Sequence, residues 1–201
     1  MISLIIPTIN RSDHIIRYIR YLESENFNGQ VLIGDSSSNY HHNTLKKFLK
    51  KKIKFQTILK RFPDKYPHYC IYHLKKFINQ KYAMFICDDD ILIYENLKHM
   101  IQFLDRNEDY SSVGGKMILV GIDKKNKPIS ASKYPLNNYE QRYSVDRVTE
   151  MFKNYTVVNY TIKKTEVFKR TFRIEKYLER SGAHARTKEF NTINGREGQM
   201  E

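Results

Sequence analysis

Three consecutive carboxylates, Asp88-Asp89-Asp90, stand directly after the apolar run Tyr82–Cys87 and before Ile91-Leu92-Ile93. Like charges this close repel and raise one another's pKa unless a cation neutralises them. A hard divalent ion does so: Mg2+ or Mn2+ takes oxygen ligands, usually one or two carboxylates plus substrate phosphates and water. The competing reading is a solvated acidic turn, and the apolar flanks count against it. Other metal and nucleophile chemistries find less support. An EF-hand calcium loop starting at Asp88 needs Gly at its sixth position and Glu at its twelfth, where this chain has Ile93 and His99. A phosphatase with an aspartyl nucleophile would more naturally carry its Asp pair after the first strand, where Pro-Thr-Ile-Asn stands. Neither a phosphate-loop Gly-x-x-x-x-Gly-Lys nor a Gly-x-Gly-x-x-Gly fingerprint occurs. No nucleophile elbow surrounds a Ser or Cys. Cys87 reads as a packed residue, and with Cys70 it is too little for a disulfide framework or a four-ligand zinc site.

Three further polar segments share the placement of the triplet behind an apolar run: Pro7-Thr8-Ile9-Asn10-Arg11, Asp35-Ser36-Ser37-Ser38 and Arg61-Phe62-Pro63-Asp64. The elements that would position them follow from periodicity. Ser3–Ile6, ending at Pro7, and Val31–Ile33 are short continuous apolar runs, the pattern of strands buried on both faces. Ile53–Leu59 and Tyr82–Cys87 are also strand-like. Between them, helical stripes lie at Asp13–Glu23 (with Ser12 or Asp13 as cap), about His42–Lys51 and Ile71–Ile78. Leu97, Met100, Ile101 and Leu104 make the cleanest helical stripe. Alternating strands and helices predict a parallel sheet with helices on both faces. Right-handed crossovers then bring all the strand C-termini, and hence all four polar segments, to one edge, where such sheets bind ligands.

Beyond Ser112 the pattern changes. Val113–Val120 reads as one extended segment, and the stretch to about Tyr143 as loop. A short helix at Asp146–Lys153, a strand at Thr156–Ile162 and a helix from Thr165 follow. The expected organisation is an α/β half at 1–110, a further segment of the same domain at 111–180, and a mobile tail at 181–201.

Strand–Pro-Thr-x-Asn-Arg–helix, strand–Asp-Ser-Ser-Ser and strand–Asp-Asp-Asp-Ile-Leu, in that order, resemble the donor half of a family-2-type GT-A glycosyltransferase, a nucleotide-diphospho-sugar transferase. Thr161–Phe168 is similar to the segment preceding the acceptor region in that family, so the resemblance covers residues 2–172. It implies an α/β, GT-A-like Rossmann-type sandwich with a mostly parallel central sheet. Pro7, Thr8, Asn10 and Arg11 would line the nucleotide, with Asp35 and Ser36 at the base or ribose. Asp88, Asp89 and Asp90 match the DxD motif that holds the diphosphate through Mn2+ or Mg2+, with the ligating pair left open and Asp88 also touching substrate. The partners implied are a nucleoside-diphosphate sugar donor and a glycan or lipid-linked hydroxyl acceptor. An inverting transfer also needs a carboxylate base. The family's usual Glu-Asp pair is missing here, which leaves Glu166, Glu175 and Glu179 as base candidates, with the first two preferred. This departure implies a shortened or altered C-terminal end and an incomplete acceptor side.

The 201 residues suit one domain. They carry 35 Lys+Arg against 22 Asp+Glu, a formal net charge of +13. That surplus attracts anions of any kind, or merely reflects abundant Lys, Ile, Asn and Tyr. A nucleic-acid-binding module is the alternative function, resting on Lys46, Lys47, Lys50, Lys51, Lys52 and Lys54, but no nucleic-acid motif accompanies them. The same lysines suggest peripheral contact with anionic membrane. With no span-length apolar run and no signal-like start, the expected location is the cytoplasm, at most at the inner face of the membrane.

Overall fold

A computed structural model describes residues 1–125, 127–156 and 160–172, together with the backbone of strand 196–199. The first half alternates as expected: β1 (Ile2–Thr8), α1 (Ser12–Ser24), β2 (Gln30–Asp35), α2 (Asn39–Phe48), β3 (Gln56–Arg61), α3 (Pro67–Leu74), β4 (Tyr82–Phe85) and α4 (Tyr94–Arg106). A single 3-10 turn, Lys75–Phe77, extends α3. The second half adds β5 (Tyr110–Gly114), β6 (Met117–Ile122), β7 (Pro128–Tyr134), α5 (Ser144–Lys153), β8 (Ile162–Lys164), α6 (Thr165–Thr171) and β9 (Arg196–Gln199).

Seven strands form one sheet in the order β3-β2-β1-β4-β8-β5-β9. β1 to β4 are mutually parallel, and β8 runs antiparallel between β4 and β5. The period of two sorts side chains to opposite faces. From β1, β4 and the residue after it, Ile2, Leu4, Ile6, Tyr82, Met84 and Ile86 pack with α1, α2 and α4. Their alternates Ile5, Ala83 and Phe85 pack with α3 and α6. Helices thus cover both faces of a mostly parallel sheet.

Two segments differ from the sequence reading. β1 does not stop before Pro7 but runs on to Thr8, with Pro7 opposite Gly34. The Ile5 carbonyl accepts from Ile86 N on the β4 side, and Pro7 faces that same side two residues later. The ladder with β4 ends at Ile5–Phe85, so the missing N–H of Pro7 costs no ladder bond. The segment expected as one extension, Val113–Val120, is split between β5 and β6, and the expected loop after it contains β7. β6 and β7 pair only with each other, as a hairpin. Of the tail expected at 181–201, only Arg196–Gln199 lies among the described residues, as β9, which pairs in parallel with β5.

Gly34 is required by close packing. A Cβ built there would lie 2.6 Å from Cys70 Cβ and 3.1 Å from a Leu74 methyl, so α3 sits on β2 because that residue has no side chain.

Candidate active site

The chain progresses from β1 outward to β2 and β3, then returns to the other side of β1 for β4. That reversal opens a crevice at the C-terminal ends of β1 and β4, where ligands bind in open α/β sheets. Thr8 and the Asp88-Asp89-Asp90 triplet meet there. Thr8 Oγ1 donates to Asp88 Oδ2 at 2.6 Å. Arg11 Nη1 donates to Asp88 Oδ1 at 3.0 Å and to Asp89 Oδ2 at 2.9 Å. Asp88 is buried, with both carboxylate oxygens engaged from inside the protein, whereas Asp89 and Asp90 are exposed.

Arg11 reaches the triplet because of where α1 begins. The hydroxyl of Ser12, expected as a cap, lies 2.9 Å from His41 Nδ1 instead, and the N-cap position falls to Arg11 with no side-chain cap bond. The two carboxylates, Asp88 foremost through its hydrogen bond, push the guanidinium pKa still higher and keep it charged. Asn10 takes the left-handed conformation (φ 54°) that Asn tolerates better than most residues. Its N–H donates to Ser37 Oγ at 2.8 Å, and its Oδ1 accepts from Ser38 N at 2.9 Å. The turns after β1 and β2 are thereby tied together.

Asp35 is fully buried, where an unpaired carboxylate would be costly. It accepts from Ser37 N at 2.9 Å and lies 2.7 Å from His42 Nδ1. Ser36 donates its hydroxyl to Lys65 O at 2.8 Å. Asp35, Ser36 and Asn10 thus spend most of their visible bonding on holding the loops together, and Pro7 is a buried strand residue.

Beside the triplet, Tyr160 stacks on Phe85 with centroids 5.6 Å apart, and its hydroxyl lies 2.9 Å from Cys87 Sγ. The same hydroxyl stands beside Asp90 and favours its charged form. Burial, then repulsion from Asp89, raises the Asp90 carboxyl above the ordinary carboxylate value. Burial also pushes the Cys87 thiol up, which makes it a poor nucleophile at neutral pH. Donor atoms of Cys87, Asp89 and Asp90 lie within 4.8 Å of one another. With Asp88 held by Thr8 and Arg11, and Asp89 reached only at its exposed side by the same guanidinium, Asp89 and Asp90 form a donor set suited to a hard divalent cation.

Two expectations fare differently. Glu166 lies in the first turn of α6, just after Lys164, which is opposite Tyr82 at the start of β4. The triplet follows the other end of β4, so Glu166 stands at the opposite edge of the sheet and is not positioned to act as a base there. The physical reason is the antiparallel course of β8, which carries its C-terminal end away from the crevice. Glu175 and Glu179 lie outside the described residues. The Lys46–Lys54 run is likewise remote from the site, because α2 runs antiparallel to its neighbouring strands and ends at the opposite edge.

Neither Tyr160 nor His42 was foreseen from sequence. Their roles depend on strand order and helix phase, and no local pattern marks them.

No protein family and no curated protein matches the sequence. Solved structures match its fold. TarS from S. aureus in complex with UDP superposes with a TM-score of 0.69 at 17% identity, over 99% of this chain and 57% of that one. The mannosyltransferase PcManGT from Pyrobaculum calidifontis, in complex with GDP-Man and Mn2+, gives 0.65 at 10% identity, over 99% of this chain and 54% of that one. CMP:2-keto-3-deoxy-manno-octonic acid synthetase complexed with CTP gives 0.50 at 9% identity, over 99% and 89%. The chain therefore has a GT-A-like α/β fold, and it spans little more than half the length of the first two structures.

Proposed function

We propose that this chain forms the donor-binding part of a metal-dependent glycosyltransferase, which moves a sugar from a nucleoside-diphosphate sugar to a hydroxyl of a glycan or lipid-linked acceptor. The observation that carries the proposal is the Thr8–Asp88–Arg11–Asp89 network, set at the strand-order reversal of a nucleotide-sugar transferase fold. Two structures sharing that fold were solved with UDP and with GDP-Man and Mn2+.

Each residue then has a task that follows from its position. Asp88, pinned by Thr8, sets the course of the backbone that presents Asp89 and Asp90. Asp89 and Asp90 would hold Mn2+ or Mg2+, which would supply charge neutralisation for the departing diphosphate. Tyr160 stands beside Asp90 and favours its charged form. Arg11 turns from the carboxylates to the diphosphate as that group arrives, adding a charge-assisted contact. Asp35 and Ser36 support the loop against which the base and ribose rest. In an inverting displacement the acceptor oxygen bonds the anomeric carbon as its bond to the diphosphate oxygen breaks, and the hydroxyl proton passes to a carboxylate base. Glu166 is withdrawn from that role by its place in the fold, which leaves Glu175 and Glu179 as the candidates named from sequence. We place the reaction at the cytoplasmic side of a membrane, where a lipid-linked acceptor is presented.

The test is thermal unfolding with UDP, GDP and their sugars, each with and without Mn2+. A ligand at a hundred times its Kd adds about 2.7 kcal/mol to stability. For a chain of this size that raises Tm by about 5–10 °C. One nucleotide should give such a shift with Mn2+, and Asp89→Asn/Asp90→Asn should remove it. If no nucleotide shifts Tm, or the double variant responds like the wild type, the proposal is wrong.

A further inference from the structure

The hairpin of β6 and β7 presents an apolar face with no counterpart among the described residues. Opposed residues in an antiparallel pair share a face, so Ile118–Lys133, Val120–Ala131 and Ile122–Pro128 line one side. Ile118, Val120 and Ile122 are 63%, 55% and 58% exposed, and the neighbouring Ile129 is 69% exposed. A two-stranded ribbon is marginal in water unless something covers it, and contiguous exposed apolar surface marks an interaction site.

The charges around this face identify the occupant. Lys133 borders it at one end, and Lys124, Lys125 and Lys127 crowd the turn at the other, all exposed. The single carboxylate of the segment, Asp123, is spent on the turn, accepting from Lys125 N at 2.7 Å and Lys127 N at 2.9 Å. A second copy brought face to face would set lysines against lysines. An anionic bilayer matches both features, because the lysines meet headgroup phosphates while the isoleucines enter the acyl boundary. Topology supports the same occupant. β5 is parallel to β4, so the chain leaves Gly114 for the hairpin at the edge that carries Asp88–Asp90. The exposed Ile91 and Ile93 lie just beyond the triplet at that edge. We propose that the β6–β7 hairpin docks the protein on anionic membrane, with the crevice edge turned toward the lipid. This goes beyond the transferase reading and stands independently of it. It also replaces the Lys46–Lys54 run, which ends at the far edge, as the membrane-contacting element.

The experiment is co-sedimentation of the 201-residue chain with phosphatidylcholine vesicles, with and without phosphatidylglycerol, at about physiological ionic strength. One lysine near an anionic surface contributes about 1 kcal/mol, about a fivefold change in partitioning. The wild type should bind phosphatidylglycerol vesicles at least about tenfold better than neutral ones. Ile118→Ser/Val120→Ser/Ile122→Ser should lose about tenfold with an unchanged circular dichroism spectrum, since these side chains are already exposed. Lys124→Ser/Lys125→Ser/Lys127→Ser should lose as much or more, while Lys46→Ser/Lys47→Ser/Lys50→Ser should bind like the wild type. Three results would overturn the proposal: no preference for phosphatidylglycerol, hairpin variants that bind as the wild type does, or a hairpin-dependent dimer in light scattering without vesicles. Nucleotide-induced thermal shifts are read separately, so failure of one proposal leaves the other standing.

Discussion

Replacing Arg11 by Gln should change metal binding and nucleotide binding in opposite directions. Arg11 is 47% exposed, and its Nη1 bridges the buried Asp88 at 3.0 Å and the exposed Asp89 at 2.9 Å. The exposed arm is an ordinary surface pair, contributing about 0.2–1 kcal/mol. A charge-assisted contact to a buried carboxylate is stronger, about 1.5–3 kcal/mol, and solvent screening at a half-exposed guanidinium reduces it by roughly half. Losing both should cost about 1–2 kcal/mol, which lowers Tm by about 3–6 °C in the absence of ligands. The guanidinium also stands where a divalent cation's charge would act. A cation binding at Asp89 must displace it in the wild type but not in the variant, so Mn2+ alone should bind the variant about two- to fivefold more tightly. With nucleoside diphosphate present the sign reverses. The displaced wild-type arginine takes up the phosphates, and its loss should weaken nucleotide binding about tenfold or more. Calorimetric titration with Mn2+, with the nucleotide, and with each in the presence of the other reads all three quantities. If the variant binds Mn2+ alone less tightly than the wild type, Arg11 is not a counter-cation for the triplet. If it binds nucleotide as well as the wild type does, Arg11 has no role at the diphosphate.

Two further perturbations test the scaffold. Gly34→Ala puts a Cβ 2.6 Å from Cys70 Cβ and should cost about 1–3 kcal/mol in urea unfolding, because α3 must move off the sheet. Asp105, hydrogen-bonded by Lys81 and by the Tyr82 hydroxyl, is held below its ordinary carboxyl value of 3.8, with Lys81 the larger cause. Its contribution to stability is therefore present above pH 3.8 and is lost as pH falls through the lowered value. Asp105→Asn should flatten the acid limb of a stability-versus-pH curve, and an unchanged limb would show that the pair is too well solvated to matter.

What could be read from residues alone divides along a physical line. The central strands and their helices were legible because burial on both faces forces continuous apolar runs such as Ser3–Ile6 and Val31–Ile33, and burial on one face forces the Leu97–Leu104 stripe. The crevice followed from the same alternation, since right-handed crossovers leave no other edge for the four polar segments. The hairpin escaped notice because β7, Pro128–Tyr134, reads Pro-Ile-Ser-Ala-Ser-Lys-Tyr and is exposed along nearly its whole length. Sequence periodicity records burial, and a strand that buries almost nothing within its own chain leaves little periodicity to find. Division of labour inside the triplet escaped for a different reason. Asp88, Asp89 and Asp90 are chemically identical, and only the register that sets Thr8 against the first of them makes it an internal anchor and leaves the other two facing outward. Glu166 shows the converse: the right residue type lies close behind a strand, but that strand runs the wrong way. Local pattern therefore supplied candidates such as Asp88 to Asp90 and Arg11 but not Tyr160 or His42, while strand direction and register decided which of them meet. The same two factors put the lysine-flanked hairpin at the edge of the carboxylates and the lysine run of α2 at the other.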